Sequence, residues 1–202
     1  MNIDNLFPLI KPEPLIIKQI TIGEAKELIK KYHYLGSKPF RCSYAFGLFL
    51  NGNFSGAIVF HGISAPETMV GAFGLPRNQQ QGFWEIGRLV LLPTENGKNY
   101  GSKLISIGIK LLQKETLVRA VVSYADSTYH NGAVYQASNF TYCGLTSPKA
   151  DFYVNGKIKE RGKTKGVIGE WKPRPRKHRY IRILDKSLNL KWPVMPYPKR
   201  DK

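Results

Sequence analysis

The spacing of apolar positions switches repeatedly along this chain. "LIIKQIT" (15–21) is nearly continuous in apolar character and predicts a short buried strand. Thr21 then opens a different pattern, with Glu24 three residues on as a capping box. Ala25, Leu28, Ile29 and Tyr32 follow at i, i+3, i+4 and i+7, one face of a helix, and Gly36 is placed to stop it. "CSYAFGLFL" and "NFSGAIVFHG" flank Asn51-Gly52, the residue pair of a type I′ turn, and predict a hairpin. Residues 62–83, rich in Gly, Pro and Gln, predict a long loop of the functional or mobile kind.

"WEIGRLVLLP" (84–93) predicts a strand and "SKLISIGIKLLQK" a helix with a broad apolar face. "VRAVVSYAD" (118–126) predicts a further strand, so 84–126 forms a βαβ unit with two adjacent parallel strands. A two-turn helix over 131–139, a short strand over 140–144, a second Asn-Gly hairpin in "DFYVNGKIKE" and a basic strand over 178–184 complete the order. The Pro-rich end, "KWPVMPYPKRDK", is predicted extended. The fold class is therefore α/β (α+β): a mixed, mostly antiparallel sheet flanked by helices, with a basic C-terminal β extension.

Composition sets bounds on this picture. Hydrophobic residues make up 42% and aromatics 12% of 202 residues, enough for a real core. There is no apolar run near 18 residues and no basic start, so neither a membrane span nor a signal peptide is expected. Cys42 and Cys143 match no metal spacing and read as reduced thiols of a cytoplasmic protein. Charge is more informative. The chain carries 31 Lys/Arg against 14 Asp/Glu, and residues 149–202 alone hold 17 against 5. So lopsided a field favours a polyanion, nucleic acid before membrane, because no basic amphipathic helix is present to lie on a bilayer.

"LLPTENGKNYGSKL" ends a strand, turns through Gly97 and Gly101, and opens a helix. Unpaired N–H groups at a helix start, with Lys98 and Lys103 beside them, suit a phosphate. A plain strand-to-helix turn would read the same way. Neither GxxxxGK[ST] nor GxGxxG is present.

Read together, these segments resemble the GCN5-related N-acetyltransferase (GNAT) fold over roughly 15–145. That family's pyrophosphate turn, (Q/R)xxGx(G/A), appears here with Lys98 first, Gly101 retained and Lys103 last. Its later helix, N-x-x-A-x-x-x-Y, appears compressed in "NGAVYQASNF", with Asn139 where Gly is usual. A narrower resemblance covers most of the chain. "YHYLG", "WEIGRLVL", "YADSTYHNGAVYQASNFTYCG" and "HRYIRIL" are similar to the Mom proteins of bacteriophages, which place a methylcarbamoyl-type group on adenine N6 and shield DNA from restriction nucleases.

This resemblance implies a core over 1–148 that binds acetyl-CoA or a related acyl-CoA, with 149–202 packed on the same domain and contacting DNA. The CoA arm would lie where the two parallel strands diverge. Its site would comprise Val90, Leu92, Gly97, Lys98, Asn99, Tyr100, Gly101, Ser102 and Lys103. Catalytic roles would fall to His33, Tyr34, Arg88, Asp126 and Tyr135. Iron is associated with the family, and Tyr34 and Asp126 would be its ligands. No HxE, CxxC or HxxxH spacing supports a metal independently.

Each of these residues also has a plainer reading. Asp126 can be a turn or cap residue. Tyr135 can be a core tyrosine, or the acid that protonates a CoA thiolate. His33 and Tyr34 can simply end a helix. Arg88, on an apolar strand, needs a partner such as Glu85 or Asp126. His61 and His130 read as loop residues. Lys172, Arg174, Arg176, Lys177, Arg179 and Arg182 interleave with Trp171 and Tyr180, as phosphate contacts with a stacking aromatic would; a solvated basic face is the alternative.

Adenine N6 is a poor nucleophile and lies inside the duplex stack. The expected partner is therefore double-stranded DNA with a flipped adenine, or transiently single-stranded DNA. Aromatics of the 63–83 loop or near Tyr34 would hold the base. Acetyl transfer alone gives N6-acetyladenine. The extra nitrogen of a methylcarbamoyl group is what makes a redox metal attractive. The competing functions are a GNAT enzyme acting on a protein or small amine, and a GNAT-like DNA-binding protein without catalysis. The expected location is the cytoplasm of a bacterial host, as monomer or dimer.

Overall fold

Thr21 and Glu24 close the capping box reciprocally. Glu24 N–H donates to the Thr21 hydroxyl at 3.2 Å and Thr21 N–H to the Glu24 carboxylate at 2.7 Å, which starts α1 (Ile22–Tyr32). This computed structural model describes residues 14–96, 98–159, 162 and 164–199. The chain divides into two compact units, one made of the segments up to Phe60 and Arg88–Lys114, the other of His61–Gly87 and Glu115–Lys202.

In the first unit the strand order is β1 (Leu15–Gln19), β2 (Tyr44–Leu50), β3 (Asn53–Gly62, up to Phe60 here) and the end of β4 (Phe83–Leu91). β1–β2 and β2–β3 are antiparallel. Asn51 (φ 48°) and Gly52 (φ 80°) take the positive φ values that a type I′ turn requires, as the sequence indicates. β1 differs from expectation: it lies at the edge of the sheet and most of its residues are exposed. One paired side is all an edge strand needs, so its apolar run was a poor guide to depth. At Gly56 a Cβ would sit 2.6 Å from Leu91 Cδ2 and 3.0 Å from the Val90 carbonyl, so glycine lets β3 approach the end of β4. Helix α3 (Tyr100–Glu115) buries Leu104, Ile105, Ile109 and Leu112. Ala25, Ile29, Ala45, Ala57, Val59 and Val90 form a core cluster here.

In the second unit the order is the start of β4, β5 (Ala120–Asp126), β10 (Lys177–Ile183) and β6 (Thr141–Leu145). β4 and β5 are parallel, from Phe83↔Ala120 to Ile86↔Ser123, and α3 connects them, giving the βαβ unit foreseen. β10 is antiparallel to both neighbours. A small sheet orders β8 (Lys157–Ile158), β7 (Lys149–Val154) and β9 (Glu170–Arg174), with the expected turn at Asn155-Gly156.

The 62–83 stretch is not a plain loop. It contains α2 (Glu67–Phe73), whose Met69, Ala72 and Phe73 are buried. Those three lie at i, i+3 and i+4, a helical signal short enough to be masked by the surrounding Gly and Pro. They pack with Phe83, Ala120, Val122, Cys143 and Ile181. Helix α4 (Ala133–Gln136) is shorter than the two turns foreseen, and Asn139 beyond it is left-handed (φ 59°). The Pro-rich end is irregular but tied down: Lys191 N–H donates to Ala72 O, Met195 N–H to Tyr142 O, and the Tyr197 hydroxyl to Phe140 O. The whole is the expected α/β architecture, a large, mostly antiparallel sheet with helices.

Candidate active site

The first unit holds the turn that sequence marked for a phosphate. β4 ends at Leu91, a single turn spans Pro93–Glu95, and Asn99 is left-handed (φ 52°) just before α3. The Asn99 carbonyl accepts Lys103 N–H at 3.1 Å and the Ser102 hydroxyl at 2.9 Å. The first-turn amides ahead of Lys103, at Tyr100, Gly101 and Ser102, precede any intrahelical partner and present partial positive charge. Lys103 Nζ lies 5.7 Å from the Tyr100 ring centre, whereas Lys98 Nζ is 3.2 Å from the Glu95 carboxylate, which partly neutralises it. Gly97 lies outside the described residues. Val90 is buried in the core cluster. Leu92 faces a cavity of about 310 Å³ with Leu28, Tyr32 and Phe54, and its N–H donates to Ser55 O. The donor set from Asn99 to Lys103 therefore suits a pyrophosphate, while Val90 and Leu92 shape the strand end.

His33 and Tyr34 also belong to this unit. His33 caps α1, and its Nδ1 accepts Leu35 N–H at 3.1 Å, so in the neutral ring the proton sits on Nε2. Its ring stacks on Tyr34 at 4.4 Å. The Arg88 guanidinium lies 5.2 Å from the Phe40 ring centre, a cation–π contact. Glu85, one of the partners foreseen for Arg88, accepts Ser64 N–H at 3.4 Å.

Asp126 and Tyr135 lie in the second unit. Asp126 ends β5. Its Oδ1 accepts Thr128 N–H at 3.0 Å, and its carbonyl accepts from Tyr129 and His130, an Asx turn that fixes the carboxylate. Tyr135 is buried on α4 against Phe140 (5.7 Å) and Tyr180 (5.3 Å). The pleat of β5 puts Asp126 on the face of Val122 and Tyr124, whereas Tyr135 packs on Tyr180, which pairs with Ser123 on the opposite face. His61 is not a loop residue. It is buried near the end of β3 with Nδ1 at 2.6 Å from Gly62 O.

The six basic residues foreseen for DNA do not form one row. Lys172 pairs with Glu170 at 2.6 Å and Arg174 with Asp151 at 3.8 Å. Arg176 donates to Thr146 O at 2.6 Å. Arg182 donates to Ser138 O at 3.2 Å from the face it shares with Tyr180, while Lys177 and Arg179 point to the other. Arg179 donates to Cys143 O at 2.9 Å and lies 3.9 Å from the Trp192 ring centre; burial depresses its basicity. The same burial raises the Cys143 thiol to about 11, which keeps it protonated and unreactive.

Sequence reading missed a cleft on this second unit. It measures about 320 Å³ and gathers Ser64, Thr68, Glu85, Tyr124, Thr146, Lys149, Arg174 and Lys177. Glu85 pairs in register with Val122, so it shares a face with Tyr124. Burial is the main cause of a raised Tyr124 pKa, the Glu85 charge adds to it, and a hydrogen bond with Thr68 opposes it. The one available signal was Glu85, a carboxylate on a strand whose other charged residue is Arg88. Phe73, an aromatic of the stretch foreseen to hold a base, packs instead on Phe83 at 5.5 Å in the core. No group of three or more His, Cys, Asp or Glu able to hold a metal forms among the described residues, so the iron expectation on Tyr34 and Asp126 gains no support. No helix among the described residues is long and apolar enough to cross a membrane.

Comparison with known proteins agrees with this architecture. The model of the Mom protein family matches residues 14–199. No curated protein sequence matches the chain. Similar solved structures include Arabidopsis thaliana NAA60 in complex with acetyl-CoA (TM-score 0.54, 11% identity, 85% of this chain and 99% of that one). An IAA acetyltransferase from Bacillus cereus ATCC 14579 is also similar (TM-score 0.51, 15% identity, 85% and 100%). So is the ribosomal-protein-S18-alanine N-acetyltransferase from Escherichia coli (TM-score 0.50, 11% identity, 85% and 94%). At these identities the likeness is one of fold, and the fold is that of the GNAT acetyltransferases.

Proposed function

The chain belongs to the Mom protein family, and from that premise we propose that it is an acyltransferase-like enzyme that modifies the N6 amino group of adenine in DNA, adding a methylcarbamoyl-type group that protects the DNA from restriction nucleases. The observation that carries this reading is an acetyltransferase fold whose last 54 residues hold 17 Lys/Arg against 5 Asp/Glu. A cationic amine or polyamine would be repelled by such a field, and a DNA phosphate backbone is drawn to it.

When bound, an acyl-CoA supplies an acyl carbon activated as a thioester, whose transfer alone gives an N6-acyl adenine; the nitrogen of a methylcarbamoyl group has to come from a separate nitrogen donor. The amides of Tyr100, Gly101 and Ser102, with Lys103, would hold its pyrophosphate. Tyr135 would give a proton to the departing thiolate. Asp126, fixed by its turn, would accept a proton from the exocyclic amine, whose lone pair is otherwise delocalised into the ring. His33, whose neutral ring carries its proton on Nε2, would serve as a further proton donor.

Mass spectrometry of nucleosides from DNA of bacteria producing the chain tests this reading. A modified deoxyadenosine is expected. Unmodified deoxyadenosine alongside soluble, folded protein would sink it.

A further inference from the structure

The cleft of the second unit has a composition that structure alone does not need. Lys149 and Arg174 stand directly opposite each other in the β7–β9 pair, a like-charge juxtaposition that weakens a sheet. Lys177 joins them on the lining, and Asp151 reaches Arg174 at 3.8 Å. A bound anion would repay that repulsion. The same cleft is lined by Glu85, which when ionised only accepts hydrogen bonds, and by the broad, part-buried ring of Tyr124. A ligand that carries both an anion and a flat group with N–H donors would match this lining. The volume of about 320 Å³ admits a single nucleotide and no duplex.

We propose that this cleft seats one extruded nucleotide of a DNA strand, its exocyclic amine donating to Glu85, its base against Tyr124, and its phosphates on Lys149, Arg174 and Lys177. The inference rests on the reading of DNA as substrate and deepens it by assigning the acceptor pocket to Glu85, Tyr124 and Lys149, outside the set that sequence marked, together with Arg174 and Lys177 from within it. Tyr124 stays neutral, because burial and the Glu85 charge both raise its pKa, so it adds no negative charge against the base. Stacking on a tyrosine of this kind tolerates any base, and the carboxylate adds preference for one bearing an amine.

The test uses the purified full chain and two DNA duplexes that differ in one unpaired nucleotide, adenine in one and purine, which lacks the amine, in the other. Wild type should bind the adenine duplex about tenfold more tightly. Glu85→Ala should lose that ratio while keeping its affinity for the purine duplex, and Glu85→Gln, whose amide oxygen still accepts, should restore part of it. Arg174→Gln and Lys177→Gln should weaken both duplexes equally. An unchanged ratio in Glu85→Ala, or full affinity in both cation variants, would overturn the proposal. So would free adenosine monophosphate competing as tightly as the duplex. If wild type makes no adduct on DNA yet shows the ratio, the transfer reading fails and the pocket stands. If Glu85→Ala forms adduct at the wild-type rate with the ratio intact, the pocket fails and the transfer reading stands.

Discussion

The two faces of the β5–β10 ladder are built from similar residues to opposite ends. On one face Tyr135, Tyr142 and Tyr180 pack ring to ring at 5.1–5.3 Å with Phe140 beside them, and the Tyr180 hydroxyl donates to Asn131 O. On the other, Val122 and Ile181 continue into the α2 core, while Tyr124, Glu85 and Lys177 open into the polar cleft. Both faces carry tyrosines, but on one the Tyr180 hydroxyl is bonded within the protein, while the other gathers cations around a cleft. The first face should therefore govern stability and the second binding.

The strongest way to break this contrast is Gly132→Val. Gly132 is left-handed (φ 81°), and a Cβ there would sit 2.5 Å from Tyr180 Cε2. Backbone strain and overpacking together should cost about 3–5 kcal/mol in urea unfolding. Less than 1 kcal/mol lost would mean that the aromatic face is loosely packed.

Tyr180→Phe keeps the ring and removes the bond to Asn131 O, so about 1–2 kcal/mol should be lost with DNA affinity unchanged. A loss of DNA affinity larger than the loss of stability would blur the two faces.

Beyond the ladder, Asp185 accepts from Ser187 and from Arg119 at 2.9 Å, which lowers its pKa to about 2 from the usual 3.8. A carboxyl depressed on folding stabilises above its unfolded pKa. That stability is lost as pH falls from about 4 through about 2. Asp185→Asn should flatten this part of the acid unfolding curve, and an unaltered curve would refute the assignment.

The smallest stability effect belongs to the cleft. Arg174→Gln and Lys177→Gln should shift unfolding by no more than about 0.5 kcal/mol, since both are surface positions, and yet lower DNA affinity. DNA binding by wild type should weaken steeply with salt, with a log–log slope of about −0.9 per phosphate neutralised. A flat salt response would argue against the basic surface altogether.

Much of the fold was legible because its signals are local. A capping box, two Asn-Gly turns and a 3.6-residue apolar face need no distant partner to be read. The edge position of β1 and the seven-residue α2 were not legible, since the first depends on which strand pairs with which and the second is too short for periodicity. The candidate site divides the same way. The α3 turn is one contiguous stretch, so it could be found. The cleft draws on residues from Ser64 to Lys177, brought together only when β10 inserts between β5 and β6. Of the basic residues marked for DNA, Arg179 and Arg182 lie on opposite faces of β10, because a strand alternates its side chains.

Tyr135 is where the two faces make competing claims, since it is buried among aromatics and is also the proposed proton donor. The most direct test is the mass of deoxyadenosine in DNA from bacteria producing the wild-type chain or Tyr135→Phe, with folding and DNA affinity measured on both proteins. The account predicts a modified deoxyadenosine with wild type and none with Tyr135→Phe, at equal stability to within about 1 kcal/mol and equal DNA affinity. Unmodified deoxyadenosine with folded wild type, or undiminished adduct with Tyr135→Phe, would contradict it.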